Sequence, residues 1–93
     1  MVKLVRVVKS PRTGKKYRAE FDDGTKTDFG DSTMEDYTQH HDMARREAYR
    51  SRHRRDLRTG DPRRAGYLSF YMLWGDSTSL TANIADYRRR FGM

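Results

Sequence analysis

The chain has 93 residues, 20 Lys/Arg against 13 Asp/Glu for a formal net charge of +7, and no cysteine, which excludes a disulfide framework and a thiolate metal site. Leu, Ile, Val and Phe number only 14, a level at which a highly charged chain is suspected of disorder. Eleven aromatic residues and periodic apolar patterns nevertheless predict one small folded domain with a thin, aromatic-rich core.

Residues 1–30 predict a β-meander. Val2, Leu4 and Val8 fall on one face of a first strand, and Val5 and Val7 on the other. Ser10-Pro11-Arg12-Thr13-Gly14 supplies turn chemistry. Tyr17, Ala19 and Phe21 alternate with Lys16, Arg18 and Glu20, the period of two of a half-buried strand. Asp23-Gly24 is a two-residue hairpin signal, because glycine accepts the positive φ such a turn needs. Thr25, Thr27 and Phe29 continue the alternation to Gly30.

Helical signals follow. Ser32-Thr33-Met34-Glu35 fits a capping box. An arginine-rich helix is expected over residues 33–58, beginning at Thr33 or, after a break, near Thr38, and ending at Thr59-Gly60. Tyr37, His41, Ala44 and Ala48 would form its narrow buried stripe. Asp61 as N-cap and Pro62 at the first helical position open a second helix over 61–74. It is apolar nearly all round from Tyr67 to Trp74, as a central core helix should be. A third helix over 78–91 carries Leu80, Ile84, Tyr87 and Phe91 on one face. The expected architecture is α+β in a single domain, 1–93: an N-terminal antiparallel three-stranded β-meander packed by three C-terminal helices.

Charge is segregated along this framework. Residues 1–18 hold seven Lys/Arg and no acid, residues 19–44 hold eight Asp/Glu against Lys26, and residues 45–93 hold twelve arginines against five acids. Crowded like charge destabilises a compact state through self-repulsion, so such a field points to an anionic partner, nucleic acid first. Arg46, Arg50 and Arg54 stand at i, i+4 and i+8, with Arg45 beside them. Arginine forks match phosphate bidentately, so this ridge reads as a phosphate-tracking edge, or else as a partner for the acidic block in cis. Arg63 and Arg64, in a predicted first helical turn, either join backbone N–H groups in an anion pocket or are offset by Asp61. Arg12, Lys15 and Lys16 form a second rim in the first turn. Arg88, Arg89 and Arg90 compensate a helix C-terminus in solvent.

Other chemistry is less favoured. His40, His41, Asp42 and His53 do not make a metal site, since adjacent helical histidines diverge and no His-x-x-x-His pair exists. No catalytic arrangement is recognisable, and neither cofactor nor metal is expected. Tyr67, Phe70, Tyr71 and Trp74 read as core rather than as a base-stacking platform. The opening residues 1–8 are too short and too charged for a signal peptide. The most apolar run, residues 67–74, falls far below the roughly 20 residues that span a bilayer. A soluble protein inside a cell or within a particle is expected, neither secreted nor bound to membrane.

The sequence also resembles a known family. The residues that carry the likeness are Lys16-Tyr17, Phe21-Asp22-Asp23-Gly24-Thr25-Lys26-Thr27 and Phe29-Gly30, then Asp36-Tyr37-Thr38, His41, Arg45-Arg46, Tyr49-Arg50 and Arg52-His53. Asp61-Pro62, Ala65-Gly66-Tyr67-Leu68-Ser69, Trp74, Ser79-Leu80, Ile84 and Asp86-Tyr87-Arg88-Arg89-Arg90-Phe91 complete it. The chain is similar, over residues 10–91, to an uncharacterised family of small basic proteins encoded mainly by large double-stranded DNA viruses of eukaryotes, with relatives in algae and other protists. What the resemblance implies is a setting: a DNA virus, with action in the virion or the host-cell interior. The combined expectation is non-catalytic binding of nucleic acid, duplex DNA before RNA, through Arg45, Arg46, Arg50, Arg54, Arg63 and Arg64 with Arg12, Lys15 and Lys16. The rival expectation is a virion structural or scaffold protein whose basic and acidic blocks dock neighbours or further copies of itself.

Overall fold

In the computed structural model, which describes residues 2–93, three antiparallel strands precede the helices, giving the expected α+β architecture. Strands β1 (Leu4–Lys9), β2 (Lys15–Phe21) and β3 (Lys26–Asp31) lie in the order β1-β2-β3. Ala19, Phe21 and Phe29 point into the core, and Tyr17 faces Phe29 across the β2–β3 pair with ring centroids 6.0 Å apart. On the opposite face, cross-strand partners are ionic: Arg6 pairs with Glu20 at 2.8 Å and Arg18 with Asp28 at 2.9 Å. The first basic block and the acidic block therefore fold onto each other at these positions.

Two details of the meander differ from the sequence reading. The β2–β3 loop has three residues, 22–24, rather than two. Phe21 N–H reaches Thr25 O at 2.9 Å, and Gly24 takes the left-handed position at φ 89°, the bulge that follows a tight turn. In β1, the pairing slips between Leu4 and Arg6, so that Leu4 opposes Phe21 while Val7 opposes Ala19. This bulge inserts one residue and switches the inward parity. Val7 consequently packs against the core, whereas Val8 is exposed and Val5 keeps 54% of its surface.

The arginine-rich segment is not one helix over 33–58. It divides into α1 (Tyr37–His40), α2 (Met43–His53) and a 3-10 turn, Arg54–Thr59. The division has a local cause. Asp36 and Gln39 form the capping box that starts α1, and Asp42 accepts from Arg45 N–H at 3.2 Å as a second cap. Between them, His41 ends α1 in the left-handed conformation at φ 56° and is exposed, not part of a buried stripe; Ala44 and Ala48 are exposed as well. Gly60, at φ 69°, closes the 3-10 turn.

The second predicted helix begins late. Asp61 and Pro62 form a turn, with Arg64 N–H on Asp61 O at 3.1 Å, and α3 spans Ala65–Leu68 before widening into a π turn, Ser69–Leu73. Tyr67, Leu68, Phe70, Met72, Leu73 and Trp74 are buried, so the aromatic run is core as expected. Gly75 follows where a Cβ would approach Tyr71 O to 2.2 Å, a space only glycine fits. Helix α4 (Leu80–Arg90), capped by Ser79, lays Tyr87 into the same cluster. Buried Asn83 holds the intervening corner: its Nδ2 donates to Met72 O and Ser77 O, each at 2.8 Å, and its Oδ1 accepts from Ser77 N–H.

Candidate nucleic-acid interface

The predicted arginine ridge divides into two populations. Arg46 and Arg50 sit on the inward face of α2 together with Tyr49 and His53. Arg46 Nε donates to Gly75 O at 2.7 Å and Nη2 to Asp76 at 2.9 Å, leaving its side chain 11% exposed. Arg50 Nη1 donates to Trp74 O at 2.6 Å and Phe70 O at 3.2 Å, and its guanidinium lies 4.0 Å from the Phe70 ring centroid. Burial, and then the neighbouring Arg46 charge, pull the Arg50 pKa below its ordinary value. Phe70 O lies in the last turn of the widened helix and Trp74 O and Gly75 O just past its end, where cations are favoured. Arg46 and Arg50 are thus helix-capping groups of the fold and do not present a phosphate ridge.

Three further candidates are also engaged within the molecule. Arg63 pairs with Asp61 at 3.1 Å and Asp23 at 2.5 Å. Its hydrogen bonds to Asp61 and then Asp23 raise its pKa, while Asp61 is held below the usual carboxylate range by its bonds to Arg63. Lys16 lies against Asp36 at 2.6 Å, with side chains 12% and 4% exposed, and also donates to Gln39. Arg64 is 68% exposed and reaches Asp61 only at 3.9 Å, so the expected anion pocket contains a carboxylate at its centre. Of the three arginines at the end of α4, Arg89 and Arg90 are exposed as expected, and Arg88 alone turns inward. Arg88 donates to Leu4 O and Val5 O, and Arg89 and Arg90 pair with Asp86.

What remains exposed is a different set. Arg45, Arg52, Arg54, Arg55 and Arg58 are exposed, and among the described residues none has a carboxylate within ion-pair distance. Arg52, Arg54, Arg55 and Arg58 line one shallow groove of about 650 Å³ with Ser51 and Leu57. Asp56, the acid within this segment, is turned to His53 Nδ1 at 3.0 Å. Arg12 and Lys15 are exposed in the β1–β2 turn, but each sits near an acid. Asp28 is lowered first by Arg18, then by Ser10, with Arg12 adding through space; Asp31 is lowered mainly by Thr33, with Lys15 contributing. Of the arginines expected to contact phosphate, Arg45 and Arg54 belong to this exposed set, which also holds Arg52, Arg55 and Arg58, not singled out in the sequence. At three residues per turn Arg55 and Arg58 stand in line along the 3-10 turn, whereas an α-helix would offset them by about 60° on a shared face.

A second cavity, of about 390 Å³, opens beside this groove between the end of β3 and α2. Tyr49, Trp74 and His53 line it as a stack, with Tyr49 4.2 Å from Trp74 and 4.1 Å from His53 between centroids. Burial pushes the Tyr49 hydroxyl up to about 12. Among the described residues, no three His, Cys, Asp or Glu side chains group closely enough to hold a metal ion. No helix among them is long and apolar enough to cross a membrane.

A family model matches residues 5–53, more than half of the chain. The chain belongs to the DUF5754 family. The family's description is one of unknown function. No curated protein and no solved structure matches the chain. The DUF5754 match runs from β1 to the end of α2, so Arg45 and Arg52 lie inside it and Arg54, Arg55 and Arg58 beyond it.

Proposed function

We propose that the protein binds nucleic acid without catalysis, through phosphate contacts made by Arg45, Arg52, Arg54, Arg55 and Arg58. The observation that carries this reading is the groove formed by four exposed arginines with no carboxylate partner among the described residues. Leaving such charge uncompensated contributes nothing to the fold, whereas guanidinium forks match phosphate oxygens two at a time. Duplex DNA is the expected ligand, because its two backbones present the denser line of charge. The setting that fits is a virion-associated packaging protein, acting in the particle or the host-cell interior.

Each phosphate neutralised releases condensed cations, so five contacts give a log affinity against log salt slope of about −4.5. Fluorescence anisotropy on random-sequence duplex DNA tests this directly. Strong binding at low salt with that slope, lost in Arg54→Glu/Arg55→Glu/Arg58→Glu with the melting temperature unchanged, is the expected result. Undetectable binding at about 50 mM salt, where the electrostatic term is strong, would end the proposal. The scaffold reading has less to draw on, since Glu20, Asp23, Asp28 and Asp36 of the acidic block pair in cis.

A further inference from the structure

We infer that the cavity between β3 and α2 receives one unpaired nucleotide of the bound nucleic acid, base inward and phosphate on the arginines. This rests on the phosphate-binding reading above and adds a base-binding site to it.

Arg52 lines both the 390 Å³ cavity and the arginine groove, so a backbone held in the groove passes the cavity mouth. Arg45 lines the cavity too, seven residues from Arg52 and hence two helical turns along the same face of α2. The mouth therefore carries two unpaired guanidinium groups, while the groove beyond it carries three more.

The interior chemistry suits a planar heterocycle. The volume is near the lower end of the roughly 300–1,000 Å³ of small-ligand sites, enough for one nucleotide. Tyr49 has both ring faces covered, by Trp74 and His53, so what it offers the cavity is its edge. Aromatic edges carry partial positive charge and meet the face of another ring in a T-shaped contact. Met34, 57% exposed, also lines the cavity with an adaptable thioether that packs on aromatic rings.

Polarity within the cavity adds a preference. Lys16 and Asp36 line it but neutralise each other, and Asp31 is bonded to Thr33. Glu35 lines it with no hydrogen-bond or ion-pair partner among the described residues. A free carboxylate repels phosphate and accepts from the exocyclic amino group of a base, as acidic side chains do with cytosine. The lining thus combines anion-attracting groups, Arg45 and Arg52, with an amine acceptor, Glu35, the complement of a nucleotide with an amino-bearing base. A base inside a duplex has that edge engaged and must leave the stack to enter. An unpaired end meets no such cost.

The test compares three ligands on the full chain: a short blunt duplex, the same duplex with a three-cytidine overhang, and the same with a three-residue abasic overhang. The abasic form keeps the added phosphates and removes the bases. The cytidine overhang is expected to bind roughly tenfold tighter than either other ligand, within the range of a T-shaped aromatic contact together with one amine–carboxylate hydrogen bond. It should also change the emission of Trp74, the chain's only tryptophan, which lines the cavity. Ala48 is exposed, lies on α2 and lines the cavity. Ala48→Leu therefore fills the cavity without loss of helix propensity and should remove the cytidine advantage while leaving blunt-duplex affinity intact. Equal affinity for cytidine and abasic overhangs would overturn the inference and leave the phosphate reading standing, as would an Ala48→Leu variant that weakens all three ligands alike. Absence of binding to any of the three would overturn both.

Discussion

Arg50→Met separates an arginine that holds the fold together from one that is free to bind. The substitution keeps most of the unbranched stem and removes the guanidinium. Two hydrogen bonds from a charged donor are lost, to Trp74 O at 2.6 Å and Phe70 O at 3.2 Å. Each contributes about 1.5 kcal/mol at the lower end for charged groups, and the carbonyls left behind are partly buried. The cation over Phe70 at 4.0 Å adds about 1–2 kcal/mol in a desolvated setting. Release of a partly buried charge and continued packing of the stem offset some of this, leaving a net cost of about 3 kcal/mol. For a domain of this size each kcal/mol shifts the midpoint by roughly 4–8 °C, so Tm should fall by roughly 12–24 °C. The assay is thermal denaturation followed by far-ultraviolet circular dichroism, with Arg54→Met as the matched control. Arg54 is exposed, and its substitution should stay within about 0.5 kcal/mol of the parent. If both variants melt within roughly 3 °C of the parent, Arg50 is not a capping group and the division of the arginines fails.

Asp36→Ala removes both the α1 cap and the carboxylate facing half-buried Lys16. Breaking a buried pair in this way costs about 3–5 kcal/mol, read as a lower urea midpoint, and the double change Lys16→Met/Asp36→Leu should recover much of it. Acid sensitivity has a definite sign. Asp28, Asp61 and Asp86 all have folded pKa values lowered, chiefly by hydrogen bonds from Arg18, Arg63 and Arg90. Their stabilisation is present above the unfolded aspartate value of about 3.9 and disappears as pH falls through the lower folded values. Urea unfolding at constant salt should show stability flat near neutrality and declining below about pH 4.5.

The parts of the fold that were legible rest on period and punctuation. Ala19, Phe21 and Phe29 alternate cleanly with charged neighbours, and each is buried as its parity requires. Tyr67 to Trp74 is too apolar to lie anywhere but in the core. Misreadings arose where a local competitor beat the period. Asp42 is a strong cap in its own right and split a helix that periodicity alone would continue. Val7 and Val8 exchanged faces because one inserted residue at the bulge resets the alternation, and no residue type in β1 announces it. The inward placement of Arg46 and Arg50 was hidden for a different reason. Their positions, with Tyr49 and His53, follow an i, i+3, i+4, i+7 stripe, but the slots are filled by cations whose partners are backbone carbonyls of residues 70, 74 and 75. Carbonyls have no letter in a sequence. Tyr49, the one aromatic within α2, was the available clue to which face turns inward.

The Arg88 contacts bear on the order in which the molecule can assemble. One guanidinium on the last helix bonds Leu4 O and Val5 O, at the irregularity of the first strand, across more than eighty residues. During synthesis at roughly 5–20 residues per second, β1 leaves the ribosome several seconds before the group that pins its kink exists. The hairpin of β2 and β3 can close early from local turns, whereas the opening strand reaches its final geometry only after α4 has docked.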